Sequence, residues 1–303
     1  MNWEDRLIWI YFLISETAAE IIYENTERMS NNLAPAFTDA EVMSIYLFGI
    51  IHRGYREKKE IYNYTSDHLR SWFPKLPKYE AFSYRLNRLS AGFSALANYL
   101  LSLQTLPEWL TEGRQSLDAI VDSLPIMLAK GHRSKTAKVA KDIADRGFCA
   151  TKGIMYHGLK AHALNLLVPT YKPKLCNLVF SPASYSDNTV FKELIAPIAP
   201  RPIIVRADRI YDDETAKPIL ENMFQVFMEP IKKRKKGQTI LAADVKLMNT
   251  INSSDRQPIE SFFNWFIEKT GIQDASKVRS TLGLHCHIQA KLAAALIMTV
   301  INF

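Results

Sequence analysis

Three acidic residues, far apart along the chain, have the types and the setting of ligands for hard divalent cations. Asp122 follows the apolar run LDAIV, Asp208 follows PIIVRA, and Glu260 lies within RQPIESFFNWF. A carboxylate at a buried strand is costly unless a cation compensates its charge. Oxygen ligands select Mg²⁺ or Mn²⁺, and two such ions about 3.5 to 4 Å apart can clamp the attacking and leaving oxygens of a phosphoryl transfer. These residues therefore predict metal-dependent phosphoryl transfer.

Each acid also has a purely structural interpretation. Asp122 could cap a strand end before a turn at Ser123 and Pro125. Asp208 could belong to a polar loop, and Glu260 could simply favour the dipole at the start of a helix. The order of strand acid, later strand acid and helix acid favours a shared site.

The elements that must position these acids are strands and helices in alternation after residue 107. Hydrophobic patterning predicts strands at 116–121, 156–168, 175–181, 202–207 and 224–228. It predicts helices at 188–196 and 213–222, and a long helix that starts near Pro258 and so holds Glu260 in its first turn. Phe262, Phe263 and Phe266 are expected to pack that helix on the sheet. The pattern predicts an α/β fold with a mixed sheet flanked by helices.

The first hundred residues have the pattern of helices. Thr38 and Glu41 form a capping box ahead of an apolar run, and further helices are predicted at 3–24, 58–73 and 79–101. We expect a small all-α domain at 1–107, followed by the α/β domain at 108–303. Arg85 and Arg88 share a face of their helix, which is typical either of a helix-turn-helix recognition helix or of an ordinary solvated helix face.

Positive charge is concentrated in the second part of the chain. Residues 108–303 hold 27 Lys and Arg against 19 Asp and Glu, whereas residues 1–107 hold 11 against 12. A basic domain favours a polyanionic partner, although a general solubility charge is the alternative.

Basic residues near the acids are candidates for phosphate contacts, with a mobile, solvated loop as the alternative for each run. The segment 130–152 follows the Asp122 strand, and a second basic run lies at 232–236. The candidate DNA-binding residues are Lys130, Arg133, Lys135, Lys138, Lys160, Lys232, Lys233 and Arg234.

Several classes of protein are disfavoured. The apolar runs are shorter than the roughly 20 residues that cross a bilayer, and the start MNWEDRL lacks the positive charge of a secretory signal. The 3 Cys have no CxxC spacing, which indicates a reducing cytoplasm. Neither a P-loop nor a GxGxxG motif is present.

The chain resembles the DDE transposases with a ribonuclease-H-like core, most closely the insertion-sequence 982 family. The resemblance is carried by FTDAEVMSIYLFGIIHRGYR, WFPKLPKYEAFSYRL, IVDSLPI, RGFCATKGIMYHGLKAHALN, VRADRIYDD and RQPIESFF. In that family the matching acids bind the metals, which implies this role for Asp122, Asp208 and Glu260. Arg256 matches the arginine of the family's R-x-x-x-E motif and would orient Glu260 or a phosphate.

The chain departs from the family pattern in two motifs. The DKGY motif reads DRIY from Asp208, and Asp212 or Asp213 is an alternative ligand there. Ser253 and Ile267 stand where related families have a tyrosine and a lysine.

The resemblance implies a transposase that cleaves transposon ends and transfers them into target DNA. It implies two Mg²⁺ ions, replaceable by Mn²⁺, and double-stranded DNA as partner, both terminal inverted repeats and target. It further implies a homodimer in the bacterial cytoplasm, associated with the nucleoid. Two alternatives stay open: a metal-dependent nuclease without integration, and an inactive DNA-binding protein descended from a transposase.

Overall fold

A computed structural model of the chain describes residues 2–26, 35–103, 116–167, 173–196, 202–211, 213–232, 240 and 242–300. The chain groups into two compact units. The helical unit comprises Met1–Gln104, Lys138–Asp142 and Phe266–Phe303, and the sheet unit comprises Thr105–Ala137 and Ile143–Trp265. The domain division at residue 107 stays a prediction, and the C-terminal segment groups with the first unit.

The described residues form the following helices and strands in chain order. The helices are α1 (Trp3–Phe12), α2 (Ala19–Thr26), α3 (Asp39–Arg53), α4 (Lys58–His68), α5 (Tyr79–Arg88), α6 (Ser90–Ser102), α7 (Asp187–Ile195), α8 (Lys217–Phe224), α9 (Ala243–Thr270) and α10 (Thr281–Val300). The strands are β1 (Leu117–Lys130), β2 (Asp145–Cys149), β3 (Ile154–Leu166), β4 (Lys174–Pro182), β5 (Ile203–Ala207) and β6 (Val226–Pro230).

The helical unit is built around α3 and α10. The predicted capping box starts α3, with the Glu41 N–H donating to Thr38 Oγ1 at 3.2 Å, and Gly54 ends it at φ 67°. α10 is buried along most of its length and packs against α3, α5 and α6. Among the described residues, no helix is both long enough and apolar enough to span a membrane.

The sheet unit contains a mixed six-stranded sheet in the part of the chain that the structure describes, with order β2-β3-β1-β5-β6. β1 is antiparallel to β3 and parallel to β5, and β5 is parallel to β6. β4 pairs with the same edge of β3 as β2, on the stretch that follows. The predicted mixed sheet flanked by helices, after a helical region, is confirmed.

The two faces of β1 have different neighbours. Leu117, Ala119 and Val121 belong to an apolar core with side chains of α7 and α8. Because side chains alternate along a strand, Asp118 and Asp122 point to the other face. α9 lies on that face.

Salt bridges hold α9 to that face of the sheet. Arg206 of β5 lies 2.6 Å from Asp118 of β1 and 2.8 Å from Asp255 of α9. Asn252, also on α9, is 3 % exposed and donates to the Glu229 carbonyl at 3.1 Å.

β1 is longer than predicted. It continues past Asp122 and through Pro125 to Lys130, whereas the sequence predicted its end at Val121. Among the described residues, β1 pairs with β5 only as far as Ile120. Pro125 lies beyond this pairing, so the N–H that proline lacks can fall on the side of β1 that makes no strand-to-strand hydrogen bonds there. The turn considered at Pro125 is therefore wrong, and β2 was missed within the basic segment.

The prediction that the long helix starts near Pro258 is also wrong. α9 begins at Ala243, and Pro258 lies inside it. Proline removes one helical N–H, which leaves the carbonyl of Ser254 without its usual partner. Ser254 is exposed, so water can bond that carbonyl. Glu260 consequently lies deep within the helix and not in its first turn.

Candidate active site

Asp122, within β1, and Asp208, directly after β5, are neighbours. β1 and β5 run parallel with Ile120 opposite Arg206, and each aspartate lies two residues further along its own chain segment. Residues two apart leave the same face of a strand. The register therefore places the two carboxylates side by side at the end of β5.

Arg256 of α9 joins these two aspartates. Its Nη2 lies 3.6 Å from Asp122 Oδ2, and its Nη1 lies 3.7 Å from Asp208 Oδ1. The Arg256 side chain is 13 % exposed, against 27 % for Asp122 and 55 % for Asp208. Its Nε–H is buried and has no acceptor among the described residues. A planar guanidinium can meet two carboxylates or a phosphate with its fork of donors.

Asp122 has an unusual ionisation. Burial raises the pKa of Asp122 to about 6. The N–H of Ser123, which donates to Asp122 Oδ1 at 2.8 Å, and the charge of Arg256 oppose this rise, while Asp187 and Asp208 add to it. The protein alone thus compensates the ionised Asp122 incompletely, which favours the addition of a cation.

Glu260 lies four residues after Arg256 on α9. At this spacing two side chains leave the same helix face, with their Cβ atoms about 6 Å apart. Glu260 is exposed. In the part of the chain that the structure describes, no three His, Cys, Asp or Glu side chains are close enough to hold a metal ion. The paired aspartates fit a hard cation by their chemistry, and Glu260 as the third ligand stays a prediction.

Tyr211 belongs to the same site, although sequence reasoning gave it no role. Its N–H donates to the Asp208 carbonyl at 3.0 Å, and its side chain is 3 % exposed. Burial raises the pKa of Tyr211 well above its usual value, and the charges of Asp187 and Asp122 raise it further. Its hydroxyl has no hydrogen-bond partner among the described residues. The sequence signal that could have identified Tyr211 was its place as the tyrosine of the DRIY motif.

Asp212 and Asp213 were the alternative metal ligands after Asp208. Asp213 Oδ1 accepts from the hydroxyl of Thr215 at 2.7 Å and from its N–H at 3.0 Å, so it serves a local turn. Asp212 lies outside the described residues.

Lys160 is held inside the sheet unit. Its Nζ lies 2.8 Å from both Asp187 Oδ1 and the Tyr185 carbonyl. Sequence reasoning considered this lysine as a phosphate ligand and did not single out Asp187, which begins α7. A short polar run, SYSDN, was the available signal.

The two arginines of α5 differ. Arg85 forms a salt bridge of 2.7 Å with Asp39 and donates to the carbonyl of Phe37, which ties two helices of the helical unit together. Arg88 is exposed and donates to the hydroxyl of the exposed Tyr84 at 3.1 Å. Arg88 is thus the more accessible candidate for DNA contact.

The remaining predicted DNA-binding residues lie on the surface or outside the described residues. Lys130, Arg133, Lys135 and Lys138 are exposed. Lys232 is exposed, and its backbone is held by the Asn249 side chain through bonds of 2.9 and 2.7 Å. Lys233 and Arg234 lie outside the described residues.

A family model described as "Transposase DDE domain" matches residues 120–297, more than half of the chain. The matched range includes Asp122, Asp208, Arg256 and Glu260. The chain belongs to this family of DDE transposases. No match was found among curated proteins.

Membership of the DDE transposase family agrees with the architecture of the sheet unit. A curled mixed sheet flanked by helices is consistent with the ribonuclease-H-like core of these enzymes. DDE transposase domains act on DNA as nucleases of the transposase type and generally use divalent metals. The paired aspartates of this chain have the ligand chemistry that such metals require.

Proposed function

We propose that this DDE transposase, a relative of the insertion-sequence 982 type, cleaves DNA at transposon ends and joins the freed 3′-hydroxyls to target DNA. The observation that carries the proposal is the position of Arg256 between the carboxylates of Asp122 and Asp208, within the range that the family model matches. Because two ends must be joined in one event, we propose that two copies of the chain act together.

Asp122, Asp208 and Glu260 are proposed to hold two Mg²⁺ ions, with Mn²⁺ as a substitute. Bound there, the ions would supply charge stabilisation to the attacking and leaving oxygens at phosphorus. Asp122 would contribute to both ions, and Asp208 and Glu260 would each contribute to one. Glu260 is exposed, so its side chain would have to turn toward the aspartates to serve as the third ligand.

Arg256 has two successive tasks in this proposal. Before DNA binds, its guanidinium partly compensates the charges of the two aspartates, from which it lies 3.6 and 3.7 Å away. Its buried Nε–H, which has no acceptor among the described residues, is available to a phosphate oxygen or to Glu260. Water is the nucleophile of the cleavage step, and the 3′-hydroxyl released by cleavage is the nucleophile of the joining step.

Exposed basic side chains are proposed to bind the DNA backbone. In the sheet unit these are Lys130, Arg133, Lys135 and Lys232, with Lys233 and Arg234 next to them in sequence. In the helical unit they are Lys138, Arg88 and, if it leaves Asp39, Arg85.

The test is a cleavage and joining assay with Mg²⁺, labelled end DNA and a target plasmid. We expect cut ends and joined products from the wild type and from Glu193→Gln, an exposed control on α7. Asp122→Asn and Glu260→Gln are expected to lower both products at least about 100-fold while end binding persists. Cut ends without joined products would favour the nuclease. End binding without metal-dependent products, unchanged by Asp122→Asn, would favour the inactive DNA-binding protein.

A further inference from the structure

A buried carboxylate lies behind the paired aspartates. Asp187 is the first residue of α7 and is 7 % exposed. Its Oδ2 accepts from Ser123 Oγ at 3.1 Å, and its Oδ1 accepts from Lys160 Nζ at 2.8 Å. The proposed metal site leaves this carboxylate without a role, although burying it is costly unless a cation compensates it.

Ser123 connects Asp187 to Asp122. Its hydroxyl donates to Asp187, while its backbone N–H donates to Asp122 Oδ1 at 2.8 Å. Because one residue makes both bonds, a shift of α7 would move Ser123 and with it the N–H that holds the Asp122 carboxylate. Ser123 lies on the same strand as Asp122 but points to the opposite face, the face on which α7 packs.

Lys160 balances the charge of Asp187. Its side chain is 16 % exposed, and its Nζ also donates to the Tyr185 carbonyl at 2.8 Å. His162 Nδ1 lies 3.8 Å from Asp187, but burial lowers the pKa of His162 to about 4, so this histidine is neutral at physiological pH. Lys160 is therefore the positive partner of Asp187 at this point of the sheet, and its donors are directed inward.

We propose that the Lys160–Asp187 ion pair positions Asp122 through Ser123, and that Lys160 serves this pair instead of a DNA phosphate. Lys160 and Asp187 are thus positioning residues for the metal-binding aspartate. The inference rests on the proposed function, in which Asp122 is a ligand of the catalytic metals.

The experiment is a double-mutant cycle in the full chain with Lys160→Met, Asp187→Asn and both together. Glu193→Gln and Lys192→Met, exposed neighbours on α7, are the matched controls. Three quantities are measured: the cleavage rate at saturating end DNA as a function of Mg²⁺, Mn²⁺ binding followed by the resonance of free Mn²⁺, and end-DNA affinity in EDTA. Thermal melting curves of all variants are recorded first, so that the three quantities are measured at a temperature at which every variant is folded.

We expect each single variant to weaken Mn²⁺ binding and to raise the half-saturating Mg²⁺ concentration by about 10- to 100-fold, as removal of residues that support a metal ligand does. The double variant should be no worse than the single ones, because it leaves no unpaired buried charge. DNA affinity should stay within about twofold of wild type and its salt dependence should not change, since only the removal of a phosphate ligand lowers that dependence, by about one unit.

Two results would overturn the inference. In the first, Lys160→Met weakens DNA binding and reduces its salt dependence, and the effects of Lys160→Met and Asp187→Asn are additive in the double variant. Lys160 is then a phosphate ligand. If the variants only melt at lower temperature with unchanged Mg²⁺ and Mn²⁺ dependence, the pair is merely structural. If the proposed function is wrong, the wild type itself gives no Mg²⁺-dependent cleavage. Mn²⁺ binding by the variants still tests the role of the Lys160–Asp187 ion pair in that case.

Discussion

The Nη2 of Arg256 lies 3.6 Å from Oδ2 of Asp122, so the protein's own cation faces the carboxylate that we propose as shared metal ligand. The same guanidinium lies 3.7 Å from Asp208 Oδ1. One positive charge thus serves two carboxylates. Without DNA or metal, the negative charge of the two aspartates is only partly compensated, and divalent cations would compensate the rest.

Replacement of Arg256 by Gln is expected to increase the stabilisation by Mg²⁺. The variant leaves Asp122 and Asp208 without their guanidinium, so the metal-free protein should melt lower and gain more on adding Mg²⁺ than the wild type. Melting curves in EDTA and in Mg²⁺ measure this difference. Lys246→Gln, on the exposed side of α9, is the control; an equal Mg²⁺ shift in Arg256→Gln and wild type would contradict the expectation.

Asp122→Asn is expected to stabilise the metal-free protein at neutral pH. The folded pKa of Asp122, about 6, lies above the usual value near 4, so the folded state binds more protons than the unfolded state between these values. The wild type therefore loses stability as the pH rises through this window, and an asparagine does not. We expect the variant to be more stable by about 1–2 kcal/mol at pH 7.5 in EDTA, after allowance for partial exposure.

The pH dependence checks this explanation for Asp122. The advantage of Asp122→Asn should shrink as the pH falls below about 6 and vanish by about pH 3, where both the folded and the unfolded states of the wild type are protonated at Asp122. An advantage that is the same at pH 4 and pH 7.5 would have another cause.

Tyr211→Phe is expected to leave stability unchanged or to raise it by up to about 1 kcal/mol. The Tyr211 hydroxyl is buried without a partner among the described residues, so its removal abolishes a desolvation cost without breaking a hydrogen bond to any of them. Tyr62→Phe is the contrasting variant, because Tyr62 Oη donates to the Pro77 carbonyl at 2.9 Å. Urea unfolding measures both; a loss in Tyr211→Phe as large as in Tyr62→Phe would refute the expectation.

Lys291 of α10 is expected to make stability rise with pH in the alkaline range. Burial lowers the pKa of Lys291 to about 7, while its Nζ donates to the Gly271 carbonyl at 3.1 Å. Between pH 7 and its usual pKa near 10.4, the unfolded chain binds this proton and the folded chain does not, so stability increases with pH. Lys291→Met should flatten the increase between pH 7 and 9, and a slope equal to that of the wild type would contradict it.

The exposed residues Arg133 and Lys135 are expected to bind phosphates of the DNA backbone. Replacing both with Gln should lower end-DNA affinity and reduce the slope of log affinity against log salt by about one unit for each phosphate that is no longer bound. Fluorescence anisotropy at several salt concentrations measures the slope, with Lys192→Gln as control. An unchanged slope would indicate a solvated segment that does not touch DNA.

Local pattern was sufficient for much of the architecture. The apolar runs before Asp122 and Asp208 predicted β1 and β5, and the Thr38 capping box predicted the start of α3. These features are encoded within a few neighbouring residues, because strand burial and helix capping depend on local side chains. Where local signals were misleading, at Pro125 and Pro258, the pairing of strands and the packing of α9 overrode them.

The sequence by itself determined the fold class, the family resemblance and the two strand aspartates. Only the tertiary structure decided that Arg256 lies between them, that Tyr211 is buried beside them, and that Asp187 holds Lys160. These contacts join residues far apart along the chain, and they exist because a helix packs on each face of the sheet. No local periodicity records which side chains such packing brings together.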